Sequence, residues 1–104
     1  MMRLNCKQIR ELRRLAHSIK PVVRVGQAGL KATVLDEIDQ ALEFHELIKI
    51  RIGAPDRETR RTMIDEICHR TGSELVQTIG HVAALYRKSR NRRAPVLSYP
   101  ESSR

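Results

Sequence analysis

Apolar and polar positions alternate along the first 86 residues in two different rhythms. Ile9, Leu12, Leu15, Ala16 and Ile19 recur every three or four residues behind Asn5, a side chain suited to accept from the first free N–H groups of a helix. A helix is expected from about Lys7 to Ser18, ended by Pro21, because a proline pushes the residue before it out of helical geometry. Val22 to Val25 is a short β-branched run and reads as a buried strand. Val34, Leu35, Ile38, Ala41 and Leu42 return to helical spacing and predict a second helix over 32–45, with Asp36, Glu37, Asp39 and Glu43 outside. Leu47 to Ile52 (LIKIRI) has the two-residue rhythm of a strand: Ile48, Ile50 and Ile52 on a covered face, Leu47, Lys49 and Arg51 on a more polar one. Asp56 caps a third helix that turns Met63, Ile64, Ile67 and Cys68 inward and closes at Gly72. Leu75–Ile79 and Val82–Tyr86 are two more strands. Gly80-His81 between them fits a two-residue type II′ hairpin.

The resulting order, α-β-α-β-α-β-β, implies an α/β chain with an α+β-like two-layer build, a mixed sheet with parallel crossovers and a closing antiparallel hairpin. Residues 1–87 are expected to form one domain. Residues 88–104 lose all periodicity, are rich in Arg, Ser and Pro, and read as a disordered basic tail.

Charge sharpens this picture. The net charge is +8, but residues 1–31 hold eight Lys/Arg against one acid, residues 32–86 are mildly acidic, and residues 87–104 are basic again. A basic surface flanking an acidic middle is the footprint of a phosphate-backbone binder. With one Phe, two Tyr and no Trp, a mode built on stacking bases against aromatic rings is disfavoured. Met1 to Ile19 is charged throughout, which excludes a signal sequence or a membrane span there, and two cysteines make no disulfide framework. A cytoplasmic setting with reduced thiols is expected.

The stretch KPVVRVGQAGLK places Gly26 and Gly29 three apart between a strand and a helix. The first N–H groups of a helix have no internal partner and its N-terminus is partly positive, so an anion sits well there. Glycines let a sugar-phosphate strand come close. From the loop alone, a turn chosen purely for geometry is the better reading. The spacing is neither a dinucleotide fingerprint nor a Walker loop. The loop of KH domains, which clamps a single-stranded backbone, is a mechanical parallel.

The segment Leu12 to Ile52 resembles the CRM domain family, in particular the small bacterial YhbY-type RNA-binding proteins. Leu15-Ala16-His17, Lys20-Pro21, Val25-Gly26-Gln27-Ala28-Gly29-Leu30 and Glu37…Ala41-Leu42…His45-Glu46-Leu47-Ile48-Lys49 carry the likeness. Thr71-Gly72, Gln77, Ile79-Gly80 and Leu85-Tyr86-Arg87 follow in the same order. The resemblance implies a four-stranded mixed sheet similar to the C-terminal domain of bacterial translation initiation factor three. It also implies RNA binding through the loop, and association with precursors of the large ribosomal subunit, so that large-subunit ribosomal RNA and ribosomal particles are the expected partners. Gly26, Gln27, Ala28 and Gly29 are then expected to meet phosphate. Lys20, Arg24 and Lys31 would neutralise charge around them, and Lys7, Arg10, Arg13 and Arg14 would extend the patch along the first helix. Lys49, Arg51, Arg87 and Lys88 are further candidates. Lys31 stands where relatives often carry a capping Ser or Thr.

Other chemistry finds little support. No C-x-x-C or H-x-x-x-H spacing suggests a metal, and Cys68 and His69, being adjacent on a helix, diverge by about 100°. The acid pairs Asp36/Glu37 and Asp65/Glu66 diverge likewise, and Asp39 with Glu43 reads as an exposed acidic face. No nucleophile has a positioned base. A non-enzymatic protein without metal, cofactor, small-molecule substrate or membrane contact is expected. The competing reading is a protein–protein module whose basic face meets an acidic partner in a ribosome or RNA-processing complex.

Overall fold

The structure, a computed structural model, describes residues 4–26 and 28–89 of the 104-residue chain. The elements are α1 (Cys6–Ala16), β1 (Pro21–Val25), α2 (Ala32–His45), β2 (Leu47–Ile52), α3 (Arg57–Thr71), β3 (Glu74–Ile79) and β4 (Val82–Tyr86). The local signals work as expected. The Gln8 N–H donates to Asn5 Oδ1 at 2.8 Å and the Asn5 N–H to Gln8 Oε1 at 2.9 Å, a reciprocal cap on α1. The helix ends at Ala16 rather than Ser18. His17, Ser18 and Ile19 instead bond three residues back in a tightened final turn that leads the chain to Pro21. Gly72 closes α3 at φ +69, and Gly80 at φ +59 with no positive φ at His81 matches the expected hairpin.

The Asp56 side chain accepts from the Thr59 N–H at 2.9 Å and from its hydroxyl at 2.8 Å. These two bonds, the backbone one first, hold the Asp56 carboxyl below the usual aspartate range. A depressed folded-state pKa contributes stability above the unfolded value, and that contribution is lost as pH falls through the folded value. An Asp56→Asn variant keeps a capping oxygen without the charge. Its stability deficit against the wild type, followed by thermal melting, should therefore shrink as pH drops from about 5 to below about 3.

Across the sheet the strand order is β1-β2-β4-β3. β1 and β2 are parallel, while β4 runs antiparallel to both β2 and β3. The α3 crossover from β2 therefore skips one position, and the hairpin returns β4 into the gap. Ile48, Ile50, Ile52, Val23, Val25, Ala83 and Leu85 form one face of the sheet and pack against Ile38 and Leu42 of α2 and Ile64 and Ile67 of α3. On the opposite face, Leu12 and Ala16 of α1 pack against Leu47, Val76, Ala84 and Tyr86. Helices thus occupy both faces. The two-layer build expected from the pattern holds only for the part of the sheet that α1 leaves uncovered. LIKIRI grades accordingly along its polar face: Leu47 is buried beneath α1, Lys49 is partly covered, and Arg51 is exposed.

The chain is held to Ser89. Its N–H donates to Glu46 Oε2 at 2.8 Å and its hydroxyl to Glu43 Oε2 at 2.9 Å. Lys88 and Ser89 belong to the tail expected from the sequence; the remainder of that tail, residues 90–104, lies outside the described residues.

Candidate nucleic-acid interface

Gly26 follows the last residue of β1, and Lys31 is the N-cap of α2. Between them the Gly29 N–H donates to the Gly26 carbonyl at 3.2 Å, a tight turn braced at its base by the Gly53 N–H on the Val25 carbonyl at 2.7 Å. Leu30 packs against the main core and pins the far side. The N-cap residue Lys31 makes no side-chain capping bond, so it does not give the leading N–H groups of α2 the partner that a Ser or Thr there would supply.

The two glycines are not equivalent. Gly29 adopts φ +99, a region that L side chains rarely enter, whereas Gly26 has no such need. Both have open space where a Cβ would stand. Gly29→Ala should therefore cost about 1–2 kcal/mol of stability, and Gly26→Ala within about 0.5 kcal/mol, as read by urea unfolding. Ala28 and Lys31 are exposed beside the turn, and Gln27 lies outside the described residues.

The uncovered part of the sheet begins at this loop. Arg24 on β1 stands opposite Arg51 on β2, and Arg51 opposite Val82 on β4, which pairs with Ile79 on β3. The next row toward α1 holds Lys49, Ala84 and Gln77. Arg24 and Arg51 are exposed, Lys49 is partly so, and none of the three forms an ion pair among the described residues. Val22 (48% exposed) and Ile79 (62%) add apolar surface at the margins. Neighbouring strands lie about 4.8 Å apart, so like charges on facing positions repel. An anion over the row relieves that repulsion.

The other expected site residues divide. Lys20 is exposed but precedes β1, while the loop follows it. Five extended residues, Pro21 to Val25, lie between the two and set them about 20 Å apart, so Lys20 lies toward α1 and not beside the glycines. Lys7, Arg10 and Arg14 fall on the back of α1, opposite the Leu12 and Ala16 side that meets the sheet. Arg14 Nη2 is 4.0 Å from Glu11 Oε2. Arg13 reaches the edge of the sheet, where its Nε donates to the Val76 carbonyl at 3.3 Å, at the irregularity in β3.

Arg87 is not part of this surface. Its guanidinium donates to Asp39 Oδ1 at 2.6 Å, to the Thr71 carbonyl at 2.8 Å and to Glu43 Oε1 at 3.4 Å, tying the end of β4 to α2 and α3. The acidic face expected from Asp39 and Glu43 is in fact half of a clamp. Cys68 packs at the margin of the core, and burial pushes its thiol pKa up, which disfavours the reactive thiolate. Among the described residues no group of three or more His, Cys, Asp or Glu is placed to hold a metal ion, and no helix is long and apolar enough to cross a membrane.

With the surface laid out, similarity to known proteins can be set beside it. A family model described as the CRS1 / YhbY (CRM) domain matches residues 4–87. An RNA-binding protein of Haemophilus influenzae is 47% identical over 89 residues, 86% of this chain and 90% of its own length. A protein of Pseudomonas aeruginosa named a probable RNA-binding protein is 41% identical over 88 residues, 85% of each chain. The probable RNA-binding protein YqeI of Bacillus subtilis is 36% identical over 87 residues, 84% of this chain and 91% of its own. The solution structure of a hypothetical Staphylococcus aureus protein, described as an RNA-binding candidate, superposes with a TM-score of 0.79 at 34% identity, covering 94% of this chain and all of that one.

Proposed function

The chain belongs to the CRS1 / YhbY (CRM) domain family, and from that premise we propose that it binds RNA through the phosphate backbone and serves on precursors of the large ribosomal subunit. The observation that carries the reading is the row of Arg24 and Arg51, with Lys49 behind it, unpaired among the described residues and set against the Gly26–Gly29 turn. Phosphate over that row neutralises the facing cations, and the start of α2, which the Lys31 side chain does not cap, receives the neighbouring phosphate. Ala28, Gln27 and Lys31 complete the loop contact, and Lys20 and the α1 cations contribute the longer-range field. Affinity then rests on counterion release and falls steeply with salt. Nothing in this role calls for catalysis, a metal or a cofactor.

The experiment is sedimentation of a lysate on a low-salt sucrose gradient, with and without ribonuclease, followed by detection of the chain. Cosedimentation with large-subunit or precursor particles, lost at high salt, is expected. A chain found only at the top of the gradient contradicts the ribosomal assignment. A complex that survives ribonuclease favours a protein-docking role for the same basic face.

A further inference from the structure

We infer that the open part of the sheet takes a paired, A-form segment of RNA, not an unpaired strand. This rests on the proposed RNA-binding function and adds the class of RNA. The argument begins with what the face lacks. Single strands commonly gain their binding energy by stacking splayed bases on aromatic rings, and a glycine loop of the KH kind clamps only about four nucleotides of backbone. Of the Phe and Tyr side chains among the described residues, Tyr86 is 4% exposed beneath α1, and Phe44 lies on α2 across the sheet; the exposed His81 stands in the β3–β4 hairpin at the end of the rows. Among the described residues the face has no Phe, Tyr or Trp platform to repay unstacking.

What it does have suits a duplex. Arg24 and Arg51 form a facing pair, Lys49 sits one row back, and the Gly26–Gly29 turn rises at the end of the rows. From the Lys49 row to the turn is about four residues of strand, or about 13 Å. Cations and backbone N–H groups are thus spread along one direction, as a regular run of phosphates requires. Val82 and Ile79 continue the arginine row on β4 and β3, and the Gln77 amide lies in the Lys49 row. Flat apolar and amide surface of this kind accepts ribose edges and 2′-hydroxyls, which A-form RNA displays across its wide, shallow minor groove. A duplex keeps its bases stacked on each other and asks the protein only for backbone contacts, which is what this face offers.

The test measures binding by fluorescence anisotropy at fixed salt with three probes: an RNA hairpin with a stem of about 16 base pairs, one unpaired strand of the same composition, and a DNA duplex of the stem sequence. The hairpin should bind at least tenfold tighter than either other probe. The variant Arg24→Gln/Arg51→Gln, exposed at both positions and confirmed folded by circular dichroism, should lose most of that advantage. Arg51→Gln alone provides an intermediate case. An unpaired strand binding as tightly as the hairpin overturns the inference while leaving RNA binding intact. Equal binding of RNA and DNA duplexes also overturns it, because the face would then respond to charge alone. No binding of either RNA at low salt overturns both the inference and the function it rests on.

Discussion

Replacing both Arg24 and Arg51 by glutamate should lower RNA affinity by at least about 50-fold near 0.1 M salt and leave the fold unchanged. Each cation that neutralises a phosphate contributes about 0.9 to the slope of log affinity against log salt on a duplex. Two lost contacts therefore correspond to about 60-fold at 0.1 M relative to the molar reference, before the repulsion added by two carboxylates. The salt slope should fall by about 2 at the same time. The fold is spared because both side chains are exposed and unpaired among the described residues, and the substitution exchanges one facing like-charge pair for another, so the repulsion across the strands is about the same before and after. Anisotropy titrations at several salt concentrations give both quantities. An affinity loss without a change in slope would mean that the two arginines do not touch phosphate. Gly26→Leu is a companion variant: it fills the open space at the turn without the backbone strain that any side chain at Gly29 would carry.

Arg87 should behave in the opposite way. Arg87→Met is expected to cost about 2 kcal/mol of folding stability and to leave RNA affinity unaltered. The side chain is only 20% exposed and joins three elements. The bond to the Thr71 carbonyl is made by a partly buried group, whereas Asp39 is 56% exposed, so solvent screening discounts that ion pair. Much of the loss should come from the unsatisfied acceptor and from the loosened β4 end, where the Arg87 N–H donates to the Glu46 carbonyl and Ser89 is fastened to Glu43 and Glu46. Urea unfolding measures the cost. A double-mutant cycle with Asp39→Asn isolates the ion pair, which should account for less than half of it. A fall in RNA affinity without a fall in stability would return Arg87 to the binding surface.

These two arginine predictions differ although the residues look alike in sequence. Arg24, Arg51 and Arg87 each lie in or just beyond a strand, next to apolar residues. What separates them is which elements surround them, and those elements are distant along the chain. Arg51 faces open solvent because α1 covers only the Leu47 end of β2. Arg87 meets Asp39, 48 residues earlier, because β4 runs up against the end of α2. Glu46 is a similar case. It ends α2 at φ +68, a conformation that glycine normally supplies, and nothing in its neighbourhood in sequence announces it. Its carbonyl and carboxylate are both used by the chain returning after β4, a contact that no local pattern can encode.

Local patterns were sufficient for the elements themselves. The bounds of α2, β2 and β4 follow from periodicity, and Asn5, Asp56, Gly72 and Gly80 mark ends and turns through bonds that reach only a few residues. The glycine pair and its neighbouring cations, Arg24 and Lys31, were equally visible. Periodicity states which side chains share a face of a strand or helix. It does not state what covers that face. The insertion of β4 between β2 and β3, the placement of α1 over one end of the sheet, and the meeting of Arg24 with Arg51 were decided only by tertiary packing. The reason is that burying the apolar surface of two separate clusters selects one arrangement of the elements, and the charges take whatever exposure that arrangement leaves them.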